Sequence, residues 1–453
     1  MKRPCRYLPA LTIFLWLICP IRANAQSTVD YAITHAKVFT LAGPPIEDGT
    51  VLIHDGKISM VGTSVSIPAG THIIDGKGLQ VYPGLFDAVT QMGLSEIGAV
   101  RSTVDTTETG PFNPDTVAAT AILPSSAHIP VTRAAGITQV IAAPASGGFD
   151  SDGVSTQVGG QASAIHLAGW TIEEMLIRKS AAMVIGWPSV ETRSFDFATF
   201  SVKQKPYAEA KKEYDKQVNE LAEYIEQARH YAQLLKAPGN PSFQRDVKLE
   251  AMAPMVRGEL PALVFADTAR EIRDAAEFCD KQKLKMILAG GTEAWKVKDL
   301  LRSKEIPVIL RPTLAGPPEE DNAYDRLLTQ PQELRAAGVK VAFASFDNSF
   351  ARRLGQQAAN AVAHGLPYEE GLKGVTLYPA QMFGLESQLG TVETGKIANL
   401  IVTNGDPLDV TTEVRYLFIK GQLTATDNKQ KALYEVFKSP EEVALTGRAK
   451  LTF

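Results

Sequence analysis

A small set of polar side chains stands where this chain could support chemistry: Gln91, Glu96, His166, Asp267, Glu293, Arg311, Asp347 and Asn348. Most follow directly on apolar runs that read as β-strands, and residues just past strand ends are where α/β barrels place reacting groups. Asp267, Glu293 and Asp347 are the candidate catalytic carboxylates. Two carboxylates held close together split their pKa values, so Asp267 with Glu293 would supply a general acid and a general base. Arg311 offers a planar fork for a substrate carboxylate. Gln91, Glu96, His166 and Asn348 complete a polar lining for substrate. The competing reading is structural. Asp267 and Glu293 also precede helical stretches, where negative charge caps a helix N-terminus, and His166 also reads as a satisfied core histidine.

The other reactive residue types offer less. Of seven histidines, His35, His54 and His72 fall in the β-rich first part of the chain, His230 and His364 on helical stretches, and His128 in a loop. Only His166 lies on a strand of the α/β middle, and no two histidines stand at i,i+2 or i,i+4. That spacing assigns no metal ligand and gives no support to a zinc centre of the usual kind. Glu96, Asp105 and Glu108 populate the long loop 94–114, which could offer oxygen ligands to a hard cation such as calcium or be a solvated acidic loop. Ser345 and Ser349 sit in no Gly-x-Ser-x-Gly elbow. Cys279, in Ala-Ala-Glu-Phe-Cys-Asp, reads as a buried small apolar residue.

The elements that must position these groups fall into three parts. Residues 29–80 form short strands between glycine turns, with Asp55-Gly56 a strong hairpin signal. A matching β-rich stretch returns at 395–402, 414–419 and 422–424. Between them, apolar strands alternate with helices: 81–91, 136–144, 162–168, 182–186, 263–266, 285–289, 307–310 and 339–343. Eight strands at helix-sized intervals predict a parallel sheet closed as a (β/α)8 TIM-like barrel over 83–385. The two β-rich ends, 26–82 and 386–453, are expected to form one small composite β-sandwich. A long amphipathic helix over 207–235 is expected to pack on the barrel's flank. The glycine-rich runs 145–153 and 159–160 lack the context of a phosphate loop.

Composition narrows the function further. The chain has 453 residues, 45% hydrophobic and 21% charged, enough for a large core. Lys2, Arg3 and Arg6 precede the apolar run 8–19, and Ala23-Asn24-Ala25 follows as a small-x-small site, so residues 1–25 read as a signal peptide cleaved after Ala25 and the product as periplasmic or secreted. Cleavage would leave Cys279 as the only cysteine, with no intramolecular disulfide possible. It would also remove four basic residues and no acidic one, taking the formal charge from −4 to −8. Such a chain has no electrostatic case for nucleic acid, and no second long apolar run predicts a membrane anchor.

Specific motifs sharpen this reading. The stretch Val81-Tyr-Pro-Gly-Leu-Phe-Asp-Ala-Val-Thr-Gln-Met-Gly93 resembles the opening strand of the amidohydrolase superfamily, Pro-Gly-Leu-Ile-Asp-x-His-x-His. Ala289-Gly-Gly-Thr-Glu-Ala-Trp295, Leu377-Tyr-Pro-Ala380, Leu389-Gly-Thr-Val-Glu-Thr-Gly-Lys-Ile-Ala-Asn-Leu-Ile401 and Gly405-Asp-Pro-Leu408 are similar to later segments of its imidazolonepropionase-like branch, particularly secreted bacterial members. The resemblance spans roughly 29–425. It implies a zinc-dependent hydrolase of carbon–nitrogen (non-peptide) bonds such as amides and cyclic amides, and zinc as the family's cofactor. Val89 and Gln91 occupy the two histidine positions of the opening strand, however. Phe265 and Gly290 stand at further ligand positions, and Phe346 stands where the family has aspartate, with Asp347 one residue late. No cofactor is therefore assigned. Two functions stay open: a hydrolase working through unconventional metal ligands or a metal-free carboxylate mechanism, and a catalytically inactive periplasmic barrel that binds a small-molecule ligand or a partner. That partner would be a second copy or a related hydrolase.

Overall fold

Pro83-Gly84 is the point at which the chain passes from one sheet into another. The computed structural model describes residues 30–144, 156–196, 200–235, 244–317 and 319–437. The leader segment and the glycine-rich run 145–153 anticipated from the sequence lie outside these residues. Gln80–Pro83 belongs to an outer sheet and Leu85–Thr90 opens the barrel. Gly84 is required there, because a Cβ on it would lie 2.0 Å from Thr138 Oγ1.

The outer sheet is built from both ends of the chain. Tyr31–Val38 pairs with Ile46–His54, which returns as Lys57–Gly62 through Asp55 and Gly56, both at positive φ. That is the backbone a two-residue hairpin turn requires. Gln80–Pro83 runs beside Tyr31–Val38 on one side and antiparallel to Leu400–Thr403 on the other, placing Val81 opposite Val402. Val414–Ile419 and Gln422–Leu423 complete the C-terminal edge. Ile33, Val51, Ile58, Val81, Leu400 and Phe418 form the apolar face of this module. This module is one eight-stranded sheet, seven strands in a continuous path and His72–Asp75 paired to the side of Tyr31–Val38.

The second sheet also has eight strands, in the order of the chain: β1 (Leu85–Thr90), β2 (Ile137–Ala142), β3 (Val158–His166), β4 (Leu176–Gly186), β5 (Ala262–Ala266), β6 (Met286–Gly290), β7 (Val308–Leu310) and β8 (Val341–Phe343). Side chains alternate with period two. Leu263, Ile287, Ile309 and Ala342 point into the lumen with Phe86, Ala88, Ala162 and Ala182, whereas Val264, Leu288, Val308 and Val341 pack outward against the helices. The long helix α1 (Tyr207–Leu234) buries Tyr214, Leu221, Ile225 and Ala228 in that outer layer, together with Met252 and Met255 of α2 (Val247–Val256) and Ile272 and Ala276 of α3 (Ala269–Lys281).

One strand corrects the sequence reading. All eight expected strands are present, but β3 runs antiparallel to both β2 and β4. The cause lies in its exit. Only residues 167–175 separate β3 from β4, with the single short helix Ile172–Met175 among them, and a parallel neighbour needs a crossover of a dozen or more residues.

Between β8 and β1 no regular ladder forms, and the barrel is closed by individual bonds. Asp87, fully buried on β1, accepts from Ser345 N at 3.0 Å and Ser345 Oγ at 2.5 Å. Phe346 N donates to the Val89 carbonyl at 2.9 Å, and Thr90 Oγ1 donates to the Asp347 carbonyl at 2.7 Å. Burial pushes the Asp87 carboxyl up to about 7, against the pull of the two bonds from Ser345. The folded protein therefore keeps a proton that the unfolded chain releases near the ordinary carboxylate value. The stabilisation is complete below about pH 4 and is lost as pH rises toward 7, at up to about 1.4 kcal/mol per pH unit. Asp87→Asn should flatten this slope in urea denaturation curves taken across that range, and identical slopes for variant and wild type would rule the assignment out.

Candidate functional site at the barrel mouth

The C-terminal ends of β5, β6 and β7 stop level with one another, because Ala266 pairs with Gly290 and Gly290 with Leu310. Asp267 and Arg311, each one residue further on, therefore flank Gly290. Their side chains meet over it. Arg311 Nε lies 3.0 and 2.9 Å from the two Asp267 oxygens, and Nη2 lies 2.8 Å from Oδ2. Thr292 adds its hydroxyl at 2.5 Å and its N–H at 3.3 Å. Burial alone would raise the Asp267 carboxyl, but the guanidinium and the Thr292 bonds outweigh it and hold the group below its ordinary value. Asp267 is thus a fixed anion, a poor proton carrier near neutral pH.

An aromatic pair stands beside this ion pair. Phe346 adopts a left-handed backbone, φ +53°, at the end of β8. Its ring meets Phe265 edge to face with centroids 6.0 Å apart, and the Arg311 guanidinium lies 5.1 Å from the Phe346 ring centre. Arg311 is thereby held by charge on one side and by a ring face on the other. The same turn directs Asp347 away from a role at the mouth centre, since its Oδ1 accepts from Phe350 N at 2.7 Å and so caps the following turn.

The remaining candidates are dispersed. Glu293 Oε2 accepts from Ala269 N at 2.8 Å, capping α3, and Oε1 is ion-paired with Lys296. Asp267 and Glu293 are thus each committed to other partners, and Glu293 caps α3, the helix that follows Asp267, and makes no side-chain cap bond to the stretch it precedes. Asn348 is buried and donates to the Ser95 carbonyl. Glu96 receives Ala127 N at 3.3 Å, and its own carbonyl meets His128 Nε2 at 2.9 Å. Gln91 is half-buried just past β1, and its carbonyl accepts from Leu94 N at 3.0 Å. His166 lies at the other end of the barrel, because the inverted β3 carries its C-terminus downward to pair with Gln139 at the start of β2. There its Nδ1 is 2.9 Å from Asn399 Nδ2, which also donates to Gln139 Oε1. Burial and the nearby Lys420 charge push the imidazole down to about 3. It is a neutral core histidine.

Thr292 and Asp87 lie inside the motifs quoted above without being marked there as site residues, and Ser345 enters the sequence reading only as a nucleophile without an elbow. Among the described residues, no three His, Cys, Asp or Glu side chains stand together in a way that could hold a metal ion. The residues present do not fit the zinc that the resemblance implies. Gly290 makes the point in atoms: it sits at φ +106°, and a Cβ on it would lie 2.8 Å from Asp267 Oδ1 and 3.0 Å from the Ala266 carbonyl.

Comparison with known proteins agrees with the fold. The amidohydrolase family profile matches residues 328–431. An amidohydrolase structure from Thermotoga maritima MSB8 is 25% identical, covering 87% of this chain and 99% of its own, with a TM-score of 0.74. The structure of molinate hydrolase is 14% identical, covers 94% of this chain and 99% of its own, and has a TM-score of 0.54. The fungal protein amidohydrolase tasK of Hapsidospora irregularis is 22% identical over 405 residues, which is 82% of this chain and 39% of that protein. This chain therefore spans about two fifths of the length of that relative.

Two outcomes test the geometry. Arg311→Met removes the charge that holds Asp267 down, and the Asp267 carboxyl carbon, followed by NMR, should then titrate at higher pH; an unchanged midpoint would mean that Thr292 suffices. Gly290→Ala should cost about 1–3 kcal/mol in chemical denaturation, from positive φ and the crowding of Asp267 together.

Proposed function

We propose that the chain is a member of the amidohydrolase superfamily, and that its barrel mouth binds a small molecule carrying a carboxylate and does not run the zinc-dependent hydrolysis associated with the fold. The observation that carries this reading is the Asp267–Arg311 ion pair over Gly290. It fills the ends of β5–β7 with a neutralised pair, and a histidine at Gly290 would have no room while the pair stands. Arg311 remains available. A guanidinium has five N–H donors, and Asp267 takes only the edge formed by Nε and Nη2. The side chain is 44% exposed, so Nη1 offers an anion a second, solvent-facing edge. Phe265 and Phe346 supply the apolar wall that such ligand sites need.

Hydrolysis of carbon–nitrogen bonds is the second reading, at the level of the family. It is supported by the relatives named amidohydrolase and molinate hydrolase and by a barrel frame matched along its length. It would require donors other than those the resemblance assigns at Val89, Gln91, Phe265, Gly290 and Phe346. We also propose that the chain works in the periplasm or outside the cell, as its leader-like N-terminus and its likeness to the secreted imidazolonepropionase-like branch suggest. Its partners would be a small ligand and either a second copy or a related hydrolase, with no role for nucleic acid. No described helix is long and apolar enough to cross a membrane.

Purified protein loaded with excess zinc, then desalted, should retain well under one ion per chain by elemental analysis and should turn over neither cyclic amides nor N-acyl amino acids. Small carboxylates should raise its melting temperature in a saturable way, and Arg311→Met should abolish that shift. Stoichiometric zinc together with turnover would replace the binding reading with the hydrolytic one.

A further inference from the structure

A separate cavity of about 520 Å³ lies at the rim, between the turn Ala294–Val297 that follows β6 and the loop leading into α4 (Arg326–Ala336). Its walls include Trp295, Lys296, Glu319, Asp321, Asn322 and Arg326. Three of these residues carry a buried polar atom with no hydrogen-bond partner: Trp295 Nε1, Asn322 Oδ1 and Arg326 Nε. An unmet buried donor or acceptor is destabilising, so three on the walls of one cavity demand a cause. Each is chemically defined. Indole Nε1 and guanidinium Nε can only donate. The Asn322 amide is oriented by its Nδ2, which donates to Asp321 Oδ1 at 3.0 Å, leaving Oδ1 as the unmet acceptor. Arg326 Nη2 is committed to Thr329 at 3.0 Å and to Glu333, and its guanidinium lies 4.5 Å from the Trp295 ring centre. The two unmet donors are therefore neighbours.

The charges divide the cavity in the same way. Lys296 and Arg326 stand against the Trp295 ring, while Glu319 and Asp321 lie on the loop side with Asn322. We propose that this cavity is a binding site for a small zwitterion, a free α-amino acid. Its carboxylate accepts from Trp295 Nε1 and Arg326 Nε, and its ammonium donates to Asn322 Oδ1 beside the Asp321 and Glu319 carboxylates, the rim side chains that cover these buried atoms turning aside as it enters. The cavity, about 520 Å³, is more than large enough for a ligand of this size. The site stands apart from the Arg311 reading and does not depend on it.

Thermal-shift screening of the full chain against the free L-amino acids, followed by calorimetric titration of those that bind, tests the proposal. At least one amino acid should raise the melting temperature saturably. Its N-acetyl derivative, lacking the ammonium, and its amide, lacking the carboxylate, should each bind about tenfold more weakly or worse, the cost of one charge-assisted hydrogen bond. Trp295→Phe keeps the ring and deletes the donor, and Asn322→Leu deletes the acceptor from a half-exposed loop position. Either, made in an Arg311→Met background so that a carboxylate bound at the mouth does not contribute, should weaken binding several-fold. The proposal is overturned if no amino acid shifts the melting temperature at about 10 mM. It is equally overturned if the capped derivatives bind as well as the parent, or if affinity follows Arg311 and ignores Trp295 and Asn322.

Discussion

One buried carboxylate is central to the few bonds that hold this barrel shut. Seven of the eight strand junctions are backbone ladders, but the eighth, between Val341–Phe343 and Leu85–Thr90, relies on Asp87 gripping the N–H and hydroxyl of Ser345. Everything at the mouth is positioned from that grip. Ser345 is followed by Phe346, whose N–H is tied to Val89, so the left-handed turn at Phe346 is a consequence of how the seam closes. The turn presents a ring where the resemblance places a carboxylate, and the ring in turn supports Arg311. Changing any one of these residues alone would leave the others without their partner, which is a physical reason for them to vary as a group.

The mouth differs in kind from a decayed site. Random loss of donors leaves a hole or an unpaired charge, either of which is costly in a barrel interior. Here Asp267 has a bidentate partner and two further donors, Phe265 has Phe346, and Gly290 leaves the room that the ion pair occupies. Each of these groups has its partner, and among the described residues no three His, Cys, Asp or Glu side chains gather as a zinc site would need.

Much of this fold was legible in the sequence because its signals are local. Asp55-Gly56 between apolar runs specified the hairpin, and alternating strand and helix specified the barrel. The direction of β3 was not legible, since an apolar run such as Gln-Ala-Ser-Ala-Ile-His reads the same for a strand running up or down. The brevity of 167–175 was the available clue. Missing it put His166 on the wrong end of the barrel. For Asp267 and Glu293, position past a strand end marked both as candidates, but the choice between catalysis and capping rests on partners at sequence distances of 24 and 44 residues. No pattern of neighbouring residues contains that information. Phe346 shows the same limit, as its left-handed backbone comes from a bond to Val89 on a strand at the opposite end of the chain.

The outer sheet has a consequence in time. Its central pairing sets Val81 against Val402, so Gln80–Pro83 has no neighbour on that side until almost the whole chain has left the ribosome. Contacts between such distant segments form slowly, because the intervening loop must close before they repay its entropy. Until then the early β-strands present an open edge, the kind of surface on which chains associate wrongly. The Lys37 and Glu47 ion pair and the exposed His54, Asp55 and Lys57 near the first hairpin give that waiting edge some charge. For this architecture the last strands to be made complete the module that the first strands began, and the module stays unfinished for most of synthesis.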